Sequence, residues 1–327
     1  EFTLFNKIEP NTSIPTVEEG AKLFKETSSQ FLVAVGGGSA IDAAKAISVL
    51  LSNEKPLREY FGINKVEKRD VPLISVPTTS GTGSEVTKYS VITDPEKRTK
   101  NLITSLKICS DVAIVDPVLT KTTPPKITAD VGIDALSHLL ESYTSYYSEP
   151  LSDAIALDGL QKIGKWLPVA YADGTNIEAR YNMAYASLLG GIAINNSPTG
   201  IAHGMSFPLT ARYNIPHGRA VGLLLPYVVE FNLPTNYEKF KKVAGALGED
   251  VSGLPAKIGA ELVPSALREL MDVLDFPESL SEMGVSEKDL EKFASDMSAN
   301  PEKLRNNPRL PTEEDIVQIY RRALEGE

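Results

Sequence analysis

Between residues 31 and 117 short, almost uninterrupted apolar runs alternate with stretches whose apolar residues recur every three or four positions. FLVAVGGG (31–38) has strand length, and AIDAAKAISVLLSN (40–53) has helical spacing. VPLISVPTT (71–79), YSVITD (89–94) and DVAIVDP (111–117) read as further strands, and EFTLF (1–5) as another. Strands that are apolar throughout, alternating with helices, predict a mostly parallel sheet covered on both faces. After TTPP (122–125) strand signals nearly vanish. Helical patterns follow: GIDALSHLLESYTS (132–145), SDAIALDGLQKIGKWL (152–167), EARYNMAYASLLGGIAI (178–194), NYEKFKKVAGALG (236–248) and EEDIVQIYRRALEGE (313–327). The pattern divides the chain near residue 123 into an α/β domain (1–122) and an all-helical domain (123–327). The crevice between them is the expected ligand site.

Composition narrows the partners. The hydrophobic share of 42% and the charged share of 23% belong to a globular protein. A formal charge of -10, with no basic run to override it, argues against nucleic acid and anionic membranes. The single cysteine, Cys109, can form neither an internal disulfide nor a thiolate metal site, which points to a reducing compartment and to oxygen and nitrogen ligands for any metal. No apolar stretch approaches the ~20 residues that span a bilayer, and the opening residues have no signal-peptide character. The expected location is the cytoplasm. The chain begins without methionine and inside an expected strand, so the true N-terminus is expected further upstream.

Two loops carry candidate chemistry. Gly36, Gly37 and Gly38 end a strand, and a helix is predicted to begin at Ser39, with Ser39 and Asp42 as a capping pair. Glycine admits close approach of a ligand, and unpaired helix N-terminal N–H groups suit a phosphate. A plain strand-to-helix junction explains that stretch equally well, since Ile41 stands where GxGxxG would have its third glycine. A second loop, PTTSGTGSEVT (77–87), follows another strand. Two such loops at neighbouring strand ends are where an open α/β sheet holds its ligand, and a nucleotide is the ligand they predict.

All three histidines, His138, His203 and His217, fall in one 80-residue window of the helical half. Asp134 lies four residues before His138 on a helical pattern, which places both on one face. Singly, each histidine reads as structural. Jointly, three imidazoles and a carboxylate suit Fe(II) or Zn(II) better than calcium or magnesium, and leave an ion that is a Lewis acid toward an alcohol or carbonyl oxygen.

These segments resemble the iron-containing, or group III, alcohol dehydrogenases. The resemblance runs from EPNTSIPTVEEGAKL (9–23) to NNPRLPTEEDI (306–316) and includes VGGGSAIDAAKA, SVPTTSGTGSEVT, VAIVDP, GIDALSH and IPHGRAVGLLLPYVVEFN. It implies a dehydroquinate synthase-like fold and hydride transfer between a small alcohol or diol and NAD or NADP, with reversible aldehyde or ketone reduction. It further implies that Asp134, His138, His203 and His217 ligate one divalent ion, usually iron(II) and sometimes zinc. On this reading His203 and His217 hold opposite sides of the ion, and their neighbouring glycines let the chain bend around it. By the same likeness Gly36, Gly37, Gly38 and Ser39 cradle the pyrophosphate with Asp42 nearby; Thr78, Thr79 and Thr82 line the cofactor loop; and Lys100 reaches the ribose.

Two departures stand out. Many members carry a histidine four residues after the third ligand, where this chain has Phe207, so a proton relay through that position is unavailable. Members also begin with about one more strand-helix unit, which carries the residue that separates NAD from NADP. Thr87, Tyr89, Thr199 and Phe207 are candidate substrate-pocket residues, and a homo-oligomer is expected. The helical tail from about 236 is expected to be scaffold. The alternatives are a zinc-dependent polyol oxidoreductase resembling glycerol dehydrogenases, whose relatives use three protein ligands, and a nucleotide- and metal-binding protein without turnover.

Overall fold

The computed structural model describes residues 2–97, 99–299 and 301–326, and omits the side chains of Glu302 and Lys303. Among the described residues six strands form in the first third: β1 (Leu32–Gly36), β2 (Gly62–Ile63), β3 (Leu73–Pro77), β4 (Tyr89–Asp94), β5 (Thr99–Thr104) and β6 (Val112–Ala113). They make two sheets. One is parallel with order β1-β3-β6, and the other has order β2-β5-β4 with β4 antiparallel to β5. The single parallel sheet expected from the pattern is therefore divided. TKNLIT of β5 is too polar to signal a strand, yet it pairs along the whole of β4, from Tyr89 opposite Thr104 to Asp94 opposite Thr99.

Helix α1 (Ile14–Glu26) packs on α2 (Gly38–Ser52), which is the hub of this half. One side of α2, through Ile41 and Ala44, covers Ala34 and Leu73 of the parallel sheet. The other, through Ala46, Ile47 and Val49, meets α1 and the Ile92 and Ile103 pair of the second sheet. The opposite face of the parallel sheet is uncovered, against the expectation of cover on both sides. Val33 and Val35 are 51% and 60% exposed, in a row with Ile74 and Val112 across the strands. Residues 2–5 form no strand, Phe2 and Leu4 standing in solvent because no strand lies beside them; Glu1 lies outside the described residues.

Helices fill the remainder: α3 (Pro125–Thr144), α4 (Pro150–Ala172), α5 (Ile177–Asn196), α6 (Ile201–Tyr213), α7 (His217–Asn232), α8 (Tyr237–Leu247), α9 (Ala256–Ala260), α10 (Val263–Val273), α11 (Leu290–Ser298), α12 (Pro301–Leu304) and α13 (Glu313–Glu325). No strand follows Ala113 among the described residues. Proline at its start sets the first turn of α3. From Thr128 to Thr144 all but one of its residues are buried, as befits a helix surrounded by α4, α5, α7 and α8. The polar residues on α3 thus sit in the interior, where each needs a partner. Among the described residues no helix is long and apolar enough to cross a membrane.

Candidate active site

The glycine turn and the threonine loop are pressed together. A Cβ at Gly38 would lie 2.7 Å from Thr82 Cγ2, and one at Gly37 would lie 3.2 Å from Thr79 Oγ1, so a larger side chain would push the loops apart. Helix α2 starts at Gly38 behind Gly37, which provides no side-chain cap. The expected Ser39–Asp42 capping pair does not form. Ser39 Oγ accepts instead from the Asn11 N–H at 3.1 Å. Asp42 ties the second loop and β4 to α2, Oδ1 accepting from Ser84 Oγ at 2.5 Å and Oδ2 from the Val91 N–H at 2.9 Å. Burial pushes the Asp42 carboxyl up in pKa, against the lowering effect of Lys45.

Lys45, one turn further along α2, is wholly buried. Its Nζ donates to Ser84 Oγ at 3.2 Å, to the Thr87 carbonyl at 2.8 Å and hydroxyl at 3.0 Å, and to the Tyr89 carbonyl at 2.8 Å. From the other side Asn195 of α5 accepts from the Lys88 N–H and donates to the Val86 carbonyl. The segment 84–91 is thereby pinned between α2 and the helical half.

A cleft of about 3080 Å3 opens where the halves meet and is far larger than an ordinary small-molecule site. It extends over the uncovered sheet face and residues 2–11, which accounts for its size. Gly36, Gly37, Gly38, Ser39 and Asp42 line it, as do Thr79, Thr82 and Lys100. Lys100 Nζ donates to Asn11 Oδ1 at 2.8 Å, and burial brings its pKa down to about 8. Thr78 is not on the wall; its N–H is tied to the Gly36 carbonyl and its own carbonyl to Thr123.

At the helical end of the cleft Asp134, His138 and His203 bring one ligating atom each within 4.8 Å of one another. Helix α3 supplies the first two from adjacent turns of one face, and α6 supplies the third. His217, the first residue of α7, completes the cluster. Its Nε2 lies 3.7 Å from Asp134 Oδ1, the same separation as His203 Nε2. Ligands about 2.1 Å from one tetrahedral ion stand about 3.4 Å apart, so this spacing fits.

Three atoms here, Asp134 Oδ1, His138 Nδ1 and His203 Nε2, are buried without a hydrogen-bond partner. Orphaned polar atoms cost free energy unless something binds them, and a divalent ion suits an imidazole and carboxylate set. The electrostatics agree. Burial would raise the Asp134 carboxyl, but His138, His203 and His217 hold it well below the usual carboxylate range. Burial lowers His138, and lowers His217 to about 3. Burial also opposes charge on His203, yet Glu141 and Asp134 raise its pKa to about 9. The cluster thus favours positive charge beside Asp134 and Glu141.

The chain between His203 and His217 reverses at Asn214, in the left-handed region at φ 54°, followed by Ile215 and Pro216. The glycines beside the histidines, expected from the sequence to let the chain bend, do not make this reversal; they admit close packing. A Cβ at Gly204 would meet Met297 Cε at 2.8 Å, and one at Gly218 would meet the Asp130 carbonyl at 1.9 Å.

The four candidate pocket residues reach the cleft in different ways. Phe207 stacks on His217 with ring centroids 6.0 Å apart. The Tyr89 hydroxyl donates to the Ile194 carbonyl at 3.2 Å, the Thr199 carbonyl accepts from Asn306, and the Thr87 hydroxyl is taken by Lys45. The tail is not scaffold alone, because Phe293, Met297 and Asn306 also line the cleft. Sequence reasoning missed Lys45 and Glu141. Lys45 is one of two charges, with Asp42, in an otherwise largely apolar helical run, and Glu141 lies three residues after His138 on the same helical face.

The description "Iron-containing alcohol dehydrogenase" matches residues 1–117, and "Fe-containing alcohol dehydrogenase family, C-terminal" matches residues 128–324. The chain belongs to the iron-containing alcohol dehydrogenases. It is 39% identical over 324 residues to the NAD-dependent methanol dehydrogenase of Bacillus methanolicus, covering 99% of this chain and 85% of that protein. Its fold matches the crystal structure of 1,3-propanediol oxidoreductase with a TM-score of 0.96 at 37% identity, covering 98% of this chain and 84% of the other. It also matches sulfoacetaldehyde reductase from Bifidobacterium kashiwanohense in complex with NAD+, with a TM-score of 0.90 at 32% identity, covering 100% and 84%. As a member of this family the protein is a metal-dependent alcohol dehydrogenase.

Proposed function

We propose that this dehydrogenase interconverts small primary alcohols or diols and their aldehydes, with Fe(II) held by Asp134, His138, His203 and His217 and with NAD or NADP along the glycine turn. The observation that carries the reading is the clustering of Asp134, His138 and His203, each with an orphaned buried polar atom, in the cleft that the glycine turn also lines. When bound, the ion supplies Lewis acidity and the nicotinamide supplies the hydride acceptor. The chain's own residues do the rest. Gly36, Gly37, Gly38 and Ser39 present the start of α2 to the pyrophosphate, Thr79 and Thr82 close the loop over it, and Lys100 offers a cation to the ribose. Asp42 acts from behind, its carboxylate spent on Ser84 and Val91. Phe207, Tyr89 and Thr199 wall the substrate end; Thr78 and Thr87 shape the loops from within.

On this reading the α/β unit ends near residue 123, and the enzyme works as a homo-oligomer in the cytoplasm, where the half-buried Cys109 stays reduced. The test is anaerobic NADH and NADPH oxidation with propanal, on protein stripped of metal and reloaded with Fe(II) or Zn(II). Turnover that returns with Fe(II) and vanishes in His203→Ala is expected. Turnover by metal-free protein, or none with either ion, contradicts the proposal.

A further inference from the structure

Glu141 stands apart from the ligand set but touches it. It lies on α3 three residues beyond His138 and seven beyond Asp134, on the same face, and is buried. Its two oxygens receive two donors, both from the first turn of α6. Oε2 accepts from His203 Nδ1 at 2.5 Å, and Oε1 accepts from the Ala202 N–H at 2.8 Å.

The start of α6 explains the arrangement. Gly200, before the first turn, has no side chain to cap it, and the exposed N–H groups of a buried helix start need acceptors. Glu141 supplies one from a neighbouring helix, where its charge also complements the helix dipole. Glycine keeps that approach uncrowded, since a Cβ at position 200 would lie 3.0 Å from Glu141 Oε1 and 2.8 Å from Asn307 Oδ1. His203 is the third residue of α6, so one carboxylate fixes both the helix start and the ring.

An imidazole that donates from Nδ1 keeps its lone pair on Nε2. In this structure Nε2 is the orphaned atom facing Asp134. We propose that Glu141 is a positioning residue that holds His203 with Nδ1 protonated and Nε2 free for the ion, and so sets the affinity of the site for a divalent metal. The proposal rests on the metal reading above.

Zn(II) affinity of the full chain, by competition with a chromophoric chelator, tests it, alongside the melting temperature of each metal-free protein. In Glu141→Gln an amide offers one acceptor to two donors, and the affinity falls about 10–100-fold. In Glu141→Asp the carboxylate remains but is one methylene shorter, and the fall is smaller than for the amide. Folded, metal-free Glu141→Gln protein that binds zinc within about twofold of the parent overturns the proposal. If the amide variant does not fold, Glu141→Asp decides: weakened binding by folded protein supports the proposal, and unchanged binding overturns it. A parent that binds no zinc removes the metal reading itself, and the role of Glu141 with it.

Discussion

Replacing Lys45 with methionine keeps the length and apolar stem of the side chain and removes an ammonium whose three N–H groups are shared among four acceptors in the interior. The carbonyls of Thr87 and Tyr89 lose this donor, and an orphaned buried acceptor costs roughly 1–3 kcal/mol. Two such acceptors set the expected loss for Lys45→Met near neutral pH at about 2–6 kcal/mol. The loss depends on pH in a definite direction. Burial lowers the Lys45 pKa to about 8, against about 10.4 in an unfolded chain. Below pH 8 both states hold the proton and the cost of burying the charge is fully present. Between those two values the unfolded chain binds a proton that the folded one has released, so stability rises with pH. From pH 7.5 to 9.5 the linkage gives the parent about 2 kcal/mol that the methionine variant cannot gain. Urea unfolding of both proteins at the two pH values measures each quantity. A loss below about 1 kcal/mol, or a gap between the proteins that is equal at both pH values, would refute the account of Lys45 as a buried charged clamp.

Other outcomes follow from the same packing. In Gly218→Ala the new methyl must move away from the Asp130 carbonyl 1.9 Å distant, which displaces the first turn of α7 and His217 with it; zinc affinity should fall on the order of tenfold or more, as when ligand orientation is lost. Tyr320→Phe removes a buried hydroxyl that donates to the Met205 carbonyl at 2.6 Å and should cost about 1–3 kcal/mol in unfolding experiments. The uncovered sheet face should bind the hydrophobic dye ANS, and Val33→Lys with Val35→Lys should reduce that fluorescence; an unchanged signal would place the dye elsewhere.

Much of the architecture was legible because the periodicity is strong. The alternation through residues 31–117 gives β1, α2, β3 and β4 nearly in place, and the helical patterns after TTPP correspond to α3, α4, α5, α8 and α13. What failed had local physical reasons. EFTLF has strand composition but no neighbour to pair with, and TKNLIT has a neighbour without the composition. Ser39 and Asp42 have cap chemistry, but the helix already starts at Gly38, one residue before Ser39, and both side chains find tertiary partners. At the metal cluster, residue types and the four-residue spacing of Asp134 and His138 pointed to the ligand set. Glu141 and Lys45 stayed hidden because their partners, Ala202 with His203 and Thr87 with Tyr89, lie about 40 to 60 residues away in sequence.

The central claim is that hydride passes between a nicotinamide and a substrate carbon in the cleft beside the histidine cluster. The most direct measurement is to supply metal-loaded protein with propanal and NADH carrying deuterium at both C4 positions, and to analyse the propanol by mass spectrometry. The account predicts one deuterium on the carbinol carbon of every molecule formed, and no propanol from protein stripped of metal. Propanol without deuterium, or deuterated propanol formed equally well by metal-free protein, would contradict it.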